Sequence, residues 1–374
     1  RMKISAMLSD QTTYKPLKKN IDRTVINKIE EYIRRTNTGI TRKERQYLLK
    51  FDVKSANFYG LPKIHKSEMI KRAIHEQKSE YIQILEPDDL KFRPIISSCA
   101  SPTSRLSHII DLLLKPFIRH VKSYIRDSID FLNNLPKQVT KDEILVTYDV
   151  TSLYTNIDHE LAIEAISYWT ERFPDNIHLR FNKEFIIEGI NIILTNNSFN
   201  FDNKVYLQIS GCAMGSKFSP NLAILVMAYL ELDLYNKIEQ RYGINIRQEI
   251  ETRYKRCVDD VFLILNTNHI SENDFRELLN SLHKKINFTG ESSKESIPFL
   301  DIKVIIKENK IETDLYRKPT DSMQYLDYRS CHPRSTKNSI PYSLSRRICS
   351  IVSEKKNQEK HLNELRQILI KRNY

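Results

Sequence analysis

Two apolar, β-prone runs that each carry carboxylate at one edge constrain this chain more than any other feature. The first is Ile144-Leu145-Val146-Thr147-Tyr148-Asp149-Val150 and the second is Arg256-Cys257-Val258-Asp259-Asp260-Val261-Phe262-Leu263-Ile264-Leu265. β-Branched, aromatic and aliphatic residues in runs this short suit buried strands. Asp259 and Asp260 are adjacent and repel, so without a counter-ion one of them is driven toward protonation. Flanks this apolar tie the Asp-Asp turn to a core sheet, and Asp149 ends another such strand. Three carboxylates on neighbouring sheet ends make a hard oxygen site suited to Mg²⁺ or Mn²⁺. Two such ions side by side are what phosphoryl transfer from a nucleoside triphosphate needs.

The rest of the chain alternates helical and extended signals without a repeating βαβ order, which favours an α+β fold with an antiparallel sheet. Residues 20–50 read as two helices separated by Asn37-Thr38-Gly39, the second opened by a capping box at Thr41-Arg42-Lys43-Glu44. Phe58 to Lys66 reads as extended because it holds Gly60 and Pro62, and 66–90 as a charged loop or insertion. Lys91 to Ile96 is a short strand, and Pro102 to Tyr124 an amphipathic helix. Asp158 is placed to cap the helix that follows it, residues 185–194 form another helix, and 203–209 a strand. Ser219-Pro220 starts a helix reaching about Glu239, with Ser as cap and Pro at the first helical position. Tyr254 to Leu265 is a hairpin turning at Asp259-Asp260, 275–285 a helix, and Ile297 to Ile306 a single strand.

With 374 residues the chain exceeds one ordinary core, so roughly two or three subdomains are expected. Hydrophobic residues at 40% and charged residues at 28% suit a folded chain. Lys and Arg number 59 against 47 acids, a net charge of +12. The excess is uneven, since residues 316–374 hold 13 Lys/Arg and 5 Asp/Glu, a net +8 (13 − 5). Such a basic segment is the footprint of a nucleic-acid backbone contact. The five cysteines, Cys99, Cys212, Cys257, Cys331 and Cys349, form no C-x-x-C, which points to reduced thiols in an intracellular setting. Cys331-His332 with Cys349 lacks the spacing of a zinc finger. The longest apolar run, Leu222 to Leu230, is too short to span a bilayer and reads as a buried helix, so no membrane partner is expected.

The ordered segments resemble the reverse transcriptases of Penelope-like retroelements, relatives of telomerase reverse transcriptase. The resemblance rests on Phe58-Tyr59-Gly60-Leu61-Pro62-Lys63-Ile64-His65-Lys66, Phe92-Arg93-Pro94-Ile95-Ile96 and Tyr148-Asp149-Val150-Thr151-Ser152-Leu153-Tyr154-Thr155-Asn156-Ile157. It continues through Ala213-Met214-Gly215-Ser216 with Ser219-Pro220, then Val258-Asp259-Asp260, Phe299-Leu300-Asp301-Ile302 and Tyr316-Arg317-Lys318-Pro319-Thr320. It implies a right-hand polymerase: an N-terminal extension and fingers over 1–140, a palm over 141–311 with an inserted fingers segment at about 160–205, and a partial thumb over 312–374. The implied activity is template-directed DNA synthesis, an RNA-directed DNA polymerase or nucleotidyltransferase using two Mg²⁺ or Mn²⁺ ions. Its partners would be an RNA template, a DNA primer or RNA–DNA duplex, and dNTPs, in an intracellular, nuclear setting. Oligomeric state is not legible.

By the same resemblance Asp149, Asp259 and Asp260 are the catalytic metal ligands, with the Val150 carbonyl as a further ligand. Tyr154 matches the steric gate that selects deoxyribose, and Met214 and Gly215 match the loop beneath the nascent base pair. Arg93 and Lys63 match fingers cations that grip the triphosphate. Lys294 is a candidate general acid, with Lys284 and Lys285 as alternatives. Phe299 and Leu300 match the primer-grip strand, and Arg317, Lys318, Arg346 and Arg347 would follow the duplex backbone from the thumb. The sequence differs at three places: Cys257 replaces a tyrosine, Lys217 stands where proline is frequent, and Met214 stands where most other reverse transcriptases have glutamine, although Penelope-like enzymes commonly have methionine there. The GIY-YIG endonuclease motif pair that most members carry is not found, and the chain stops at Tyr374 inside the expected thumb, as a fragment or truncated copy would.

Two other readings compete. A decayed copy would fold and bind nucleic acid without polymerising. A phosphatase or kinase using Asp149 as nucleophile would want a second aspartate two residues on, where this chain has Thr151, and no glycine-rich phosphate loop occurs.

Overall fold

A computed structural model describes residues 2–35, 39–79 and 81–374. Asn37 and Thr38 of the expected helix break lie outside them. Along the chain the elements are α1 (Met2–Leu8), β1 (Tyr14–Leu17), α2 (Asp22–Arg35), α3 (Arg42–Leu49), β2 (Ala56–Pro62), α4 (Glu68–Gln77), β3 (Phe92–Ser97), α5 (Ser104–Leu114), α6 (Ser128–Asn134), β4 (Glu143–Val150), α7 (Leu153–Asn156), α8 (His159–Arg172) and α9 (Lys183–Thr195). There follow β5 (Asn197–Phe201), β6 (Lys204–Gln208), α10 (Ser219–Tyr242), α11 (Ile244–Arg253), β7 (Lys255–Cys257), β8 (Asp260–Asn266), α12 (Glu272–Asn280), β9 (Phe288–Ser293), β10 (Ser296–Phe299), β11 (Ile302–Lys307), β12 (Lys310–Leu315), α13 (Arg334–Ile351) and α14 (Lys355–Lys371).

The strands form three sheets, in the orders β7-β8-β4-β9, β1-β6-β5-β2-β3 and β10-β11-β12. The first is wholly antiparallel and central. Alternation along β4 and β8 sorts their side chains onto two faces. Val146, Tyr148, Val150, Val261 and Leu263 enter a core shared with α5, α8, α9 and α10. Leu145, Phe262 and Ile264 enter a second core, built with β10, β11, α6, α13 and α14. Full burial of one such side chain is worth roughly 1.5–3 kcal/mol. A one-residue slip would turn every one of them to the wrong face, so the register is fixed from both sides.

The five-stranded sheet draws β1, β2 and β3 from the N-terminal third and β5 and β6 from residues 197–208, with β2 and β5 parallel. The end of the segment expected as a fingers insertion thus shares a sheet with β1, β2 and β3, and its last strand runs to Gln208, past the boundary expected at about 205. The boundary expected at 311 falls inside β12.

Several local expectations need correction. Residues 68–77, read as loop, are helical: Ser67 accepts from the Ile70 amide, Asp89 accepts from the Glu68 amide, and Ile70 and Ala73 are buried. The extended reading through Lys66 stops at Pro62, and Ile64–Lys66 makes one 3₁₀ turn. The helix after Pro102 keeps α-geometry only to Leu114 and continues as a 3₁₀ turn over Lys115–His120, where Pro116 has no amide to donate. Ile297 to Ile306 is not one strand but the β10–β11 hairpin, reversed at Leu300, whose φ is +55°. Ser219 is the first helical residue of α10 rather than its cap, and Asp158 makes no side-chain cap because it pairs with Lys285. The Thr41–Glu44 capping box is formed as expected.

Candidate active site

The three aspartates meet because two strands end together. Asp149 stands opposite Asp260 on the β4–β8 ladder, and the Val150 amide donates to the Asp259 carbonyl at 3.1 Å. Val258 turns the chain between β7 and β8 with φ +58°, a conformation that opposes a β-branched side chain. Burial pushes Asp260 up to about 6, helped by the charges of Asp259 and Asp149. Burial raises Asp259 too, and the Asp149 charge adds to it.

Cations face these carboxylates from across the cleft. The Lys66 ammonium lies 2.5 Å from Asp149 Oδ2. Arg93 and Lys66 act on Asp259, while Lys318 and Lys66 act on Asp260. Lys63 sits in the same group: burial lowers its pKa first, then Lys66 and Arg93, against the pull of Asp149 and Asp259. His65, between these lysines, is held down at about 4 by burial and by Lys318, Arg93, Lys66 and Lys63. Lys63 and Arg93 thus lie within electrostatic reach of the aspartates. Sequence reasoning missed Lys66, and only the fold brings it there; its signal was membership of the Lys63-Ile64-His65-Lys66 run.

Among the described residues, no group of three or more His, Cys, Asp or Glu is assembled as a metal cage. The donor chemistry still fits a hard divalent cation. Two buried carboxylates, Asp259 and Asp260, raised in part by the Asp149 charge beside them, gain from a shared counter-charge, and Asp149 already holds a cationic nitrogen.

Tyr154 lies on α7, immediately after the β4 strand end, with its ring half-buried against the helix-side core. Its phenol is raised by burial, then by Cys212 and Asp259, which places it beside the carboxylates. Its carbonyl accepts from the Cys212 amide at 2.7 Å. The loop that follows is stitched to β3: the Met214 carbonyl accepts from the Ile96 amide at 2.9 Å, and the Gly215 carbonyl from Ser98 Oγ at 2.8 Å. Gly215 has φ +126°, and a Cβ there would stand 2.2 Å from the Ile96 carbonyl oxygen. Glycine is needed both for the conformation and for the close approach.

The remaining expected residues separate. Lys294 is exposed beyond the end of β9. Ser293 stands opposite Leu145, four residues before Asp149 (149 − 145), so Lys294 is displaced from the aspartates by more than about 13 Å of strand. The register of β9 removes it from the site, and Lys285 is occupied by Asp158. Phe299 is buried among Phe131 and Phe262. With Leu300, it also lines a cavity of about 440 Å³ that includes Asp149, Asp260, Tyr316 and Lys318. Arg317 donates to Glu364 at 3.1 Å and Arg347 pairs with Asp301, whereas Arg346 is exposed on α13. Of these four basic residues, Lys318 is the one whose charge reaches the carboxylates.

The sequence matches the reverse transcriptase (RNA-dependent DNA polymerase) family over residues 84–327. Residues 324–374, which contain α13 and α14, match the animal helix-turn-helix domain. None of the curated proteins compared with the chain matches it. Among solved structures, telomerase from Candida albicans, in complex with a fragment of telomeric RNA, is similar with a TM-score of 0.54 at 9% identity, covering 92% of this chain and 59% of the telomerase. The RNA-dependent RNA polymerase of a human picobirnavirus gives a TM-score of 0.48 at 12% identity, covering 92% and 66%. The chain spans 59% of the telomerase chain's length. At such identity the telomerase likeness is one of fold: an α+β arrangement of the right-hand polymerase kind, with an antiparallel central sheet.

Proposed function

The chain belongs to the reverse transcriptase (RNA-dependent DNA polymerase) family, and from that premise we propose that it extends a DNA primer on an RNA template by two-metal nucleotidyl transfer, as the polymerase of a Penelope-like retroelement. One observation carries the reading: a cross-strand Asp149–Asp260 pair, closed by Asp259, faces Lys63, Lys66 and Arg93 across a cleft. Anions on one wall and cations on the other suit a triphosphate whose charge is shared between them. Two Mg²⁺ or Mn²⁺ ions held by Asp149, Asp259, Asp260 and the Val150 carbonyl would activate the primer hydroxyl and neutralise the triphosphate.

The protein's own groups do the rest. Lys63, Lys66 and Arg93 bind and orient the phosphates. Tyr154 meets the sugar, and the Met214-Gly215 backbone, fastened to β3, supports the base pair from below. Leu300 and Tyr316 line the side where a primer end would approach Asp149 and Asp260. The basic segment beyond residue 315 would hold the duplex, and its helix-turn-helix likeness suits that use. The Penelope-like assignment is supported by the ordered motifs from Phe58 to Thr320.

Mg²⁺-dependent extension of a DNA primer on matched RNA and DNA templates tests the reading. Extension on RNA supports it. Primer–template binding without extension on either template would leave a nucleic-acid-binding remnant instead. A nuclear site of action belongs to the same proposal and is checked by imaging a tagged chain.

A further inference from the structure

We infer that Arg256 and Glu231 form a buried positioning pair that sets the Val258-Asp259 turn and, through it, the placement of the Asp259 carboxylate. The inference rests on the proposed role of Asp259 in nucleotidyl transfer. Arg256 is fully buried, and Glu231, on α10, nearly so. The guanidinium spends its donors on three acceptors, two on α10 and one in the β7–β8 turn. Nε donates to Glu231 Oε1, Nη2 donates to the Ile224 carbonyl of α10 at 3.2 Å, and Nη1 donates to the Val258 carbonyl at 3.0 Å. The second Glu231 oxygen accepts from Ser123 Oγ at 2.5 Å, and the Arg256 amide donates to the Ser123 carbonyl at 2.8 Å.

Stability alone gives little reason for such a pair. A buried ion pair can often be exchanged for apolar residues of similar volume at little cost to folding. What apolar residues cannot supply is a directed donor onto one carbonyl. Val258 is that carbonyl's owner, and it is a β-branched residue held at φ +58°. An unfavourable backbone state persists only where its surroundings over-determine it. Arg256 supplies that determination from within the same hairpin, anchored to α10 through Glu231 and Ile224. Asp259 follows Val258 directly, and its own carbonyl is fixed to the Val150 amide next to Asp149. The fork of Arg256 therefore connects the interior of α10 to the spacing between the two strand ends. Lysine carries the same charge but cannot bond all three acceptors in one plane.

The test uses the full chain with Arg256→Met/Glu231→Leu as an apolar replacement and Arg256→Lys as a charge-conserving one. Each is measured for thermal melting, Mn²⁺ binding to the metal-free protein by electron paramagnetic resonance, primer–template binding, and kcat against KM for dNTP. The expected result is a folded double variant with unchanged primer–template affinity. Its Mn²⁺ binding should be about tenfold weaker or more, and its kcat reduced at near-constant KM, as when a group that orients a ligand is removed. Arg256→Lys should show the same pattern in milder form. Wild-type Mn²⁺ affinity and kcat in either folded variant would overturn the proposal. If neither variant folds, the pair determines the fold rather than the turn, and the proposal is also overturned. If the wild-type chain binds Mn²⁺ but extends no primer, the polymerase reading fails while the Mn²⁺ comparison still decides the positioning role.

Discussion

The Lys66 ammonium lies 2.5 Å from an Asp149 carboxylate oxygen, joining the turn between β2 and α4 to the central sheet. Both side chains are substantially exposed, so the pair itself adds little to stability. On the proposed nucleotidyl-transfer reading its consequence is for ligand binding, since Lys66 would share Asp149 with a metal ion or pass to a phosphate. Lys66→Ala should therefore leave the melting temperature within about 2 °C, because exposed pairs are worth at most about 1 kcal/mol. It should raise KM for dNTP by about tenfold or more, as removal of a charge-assisted hydrogen bond to phosphate would. Steady-state kinetics check this, and an unchanged KM would place Lys66 outside the triphosphate path.

Tyr154 sits beside Asp259 and Cys212, with its backbone fastened beneath the Gly211–Ser216 loop. On the proposed reading, removing the ring would open space next to the incoming sugar while leaving that fastening in place. Tyr154→Val should reduce dNTP over NTP discrimination by about tenfold or more. Single-nucleotide incorporation checks it, and unchanged discrimination would make Tyr154 a packing residue.

Asp260 provides a pH signature in metal-free protein. Its pKa is raised to about 6 by burial and by its two aspartate neighbours. The folded state thus holds a proton that the unfolded chain has released by about pH 4. Stability contributed by the protonated form is full below pH 4, falls as pH rises through 6, and stays low above it. Asp260→Asn should raise the melting temperature at pH 7.5 in chelator, with the gain vanishing toward pH 4. A pH-independent difference would contradict the assignment.

Some of this was legible in the sequence and some was not. Asp149, Asp259 and Asp260 could be found because period-two burial and strand ends leave a local trace, as did the Thr41–Glu44 capping box. The α4 helix was hidden by its charge, although Ser67 followed by Ile70, Ala73 and Ile74 carried the signal. The turn at Leu300 was hidden because an apolar run does not reveal a positive φ. The contacts of Lys66 and Arg256 could not be read, although Lys66 lay in the Lys63-Ile64-His65-Lys66 run. One depends on how two sheets face each other, the other on which carbonyls surround a buried side chain. Lys294 failed for the same reason in reverse, since proximity in sequence to β10 said nothing of the β9 register.

The basic C-terminal segment makes an electrostatic prediction. Arg346 is exposed on α13, whereas Arg347 is engaged by Asp301. If α13 and α14 hold a duplex, Arg346→Ala/Arg347→Ala should lower the salt slope of binding by about 1 for each phosphate no longer neutralised. RNA and DNA duplexes of different sequence should weaken alike, because phosphates carry no base information. An unchanged slope in binding isotherms at several salt concentrations would make this face a solvated surface.

The central claim is that paired strand ends, rather than the chain's positive charge, do the chemistry. The direct measurement is Asp149→Asn, assayed side by side for Mg²⁺-dependent primer extension and for primer–template affinity. The account expects extension to fall by about a thousandfold or more, as removal of a metal-ligating carboxylate would produce, with affinity within about threefold of wild type, since binding rests on phosphate contacts elsewhere. Retained extension, or an equal fall in binding and extension, would contradict it.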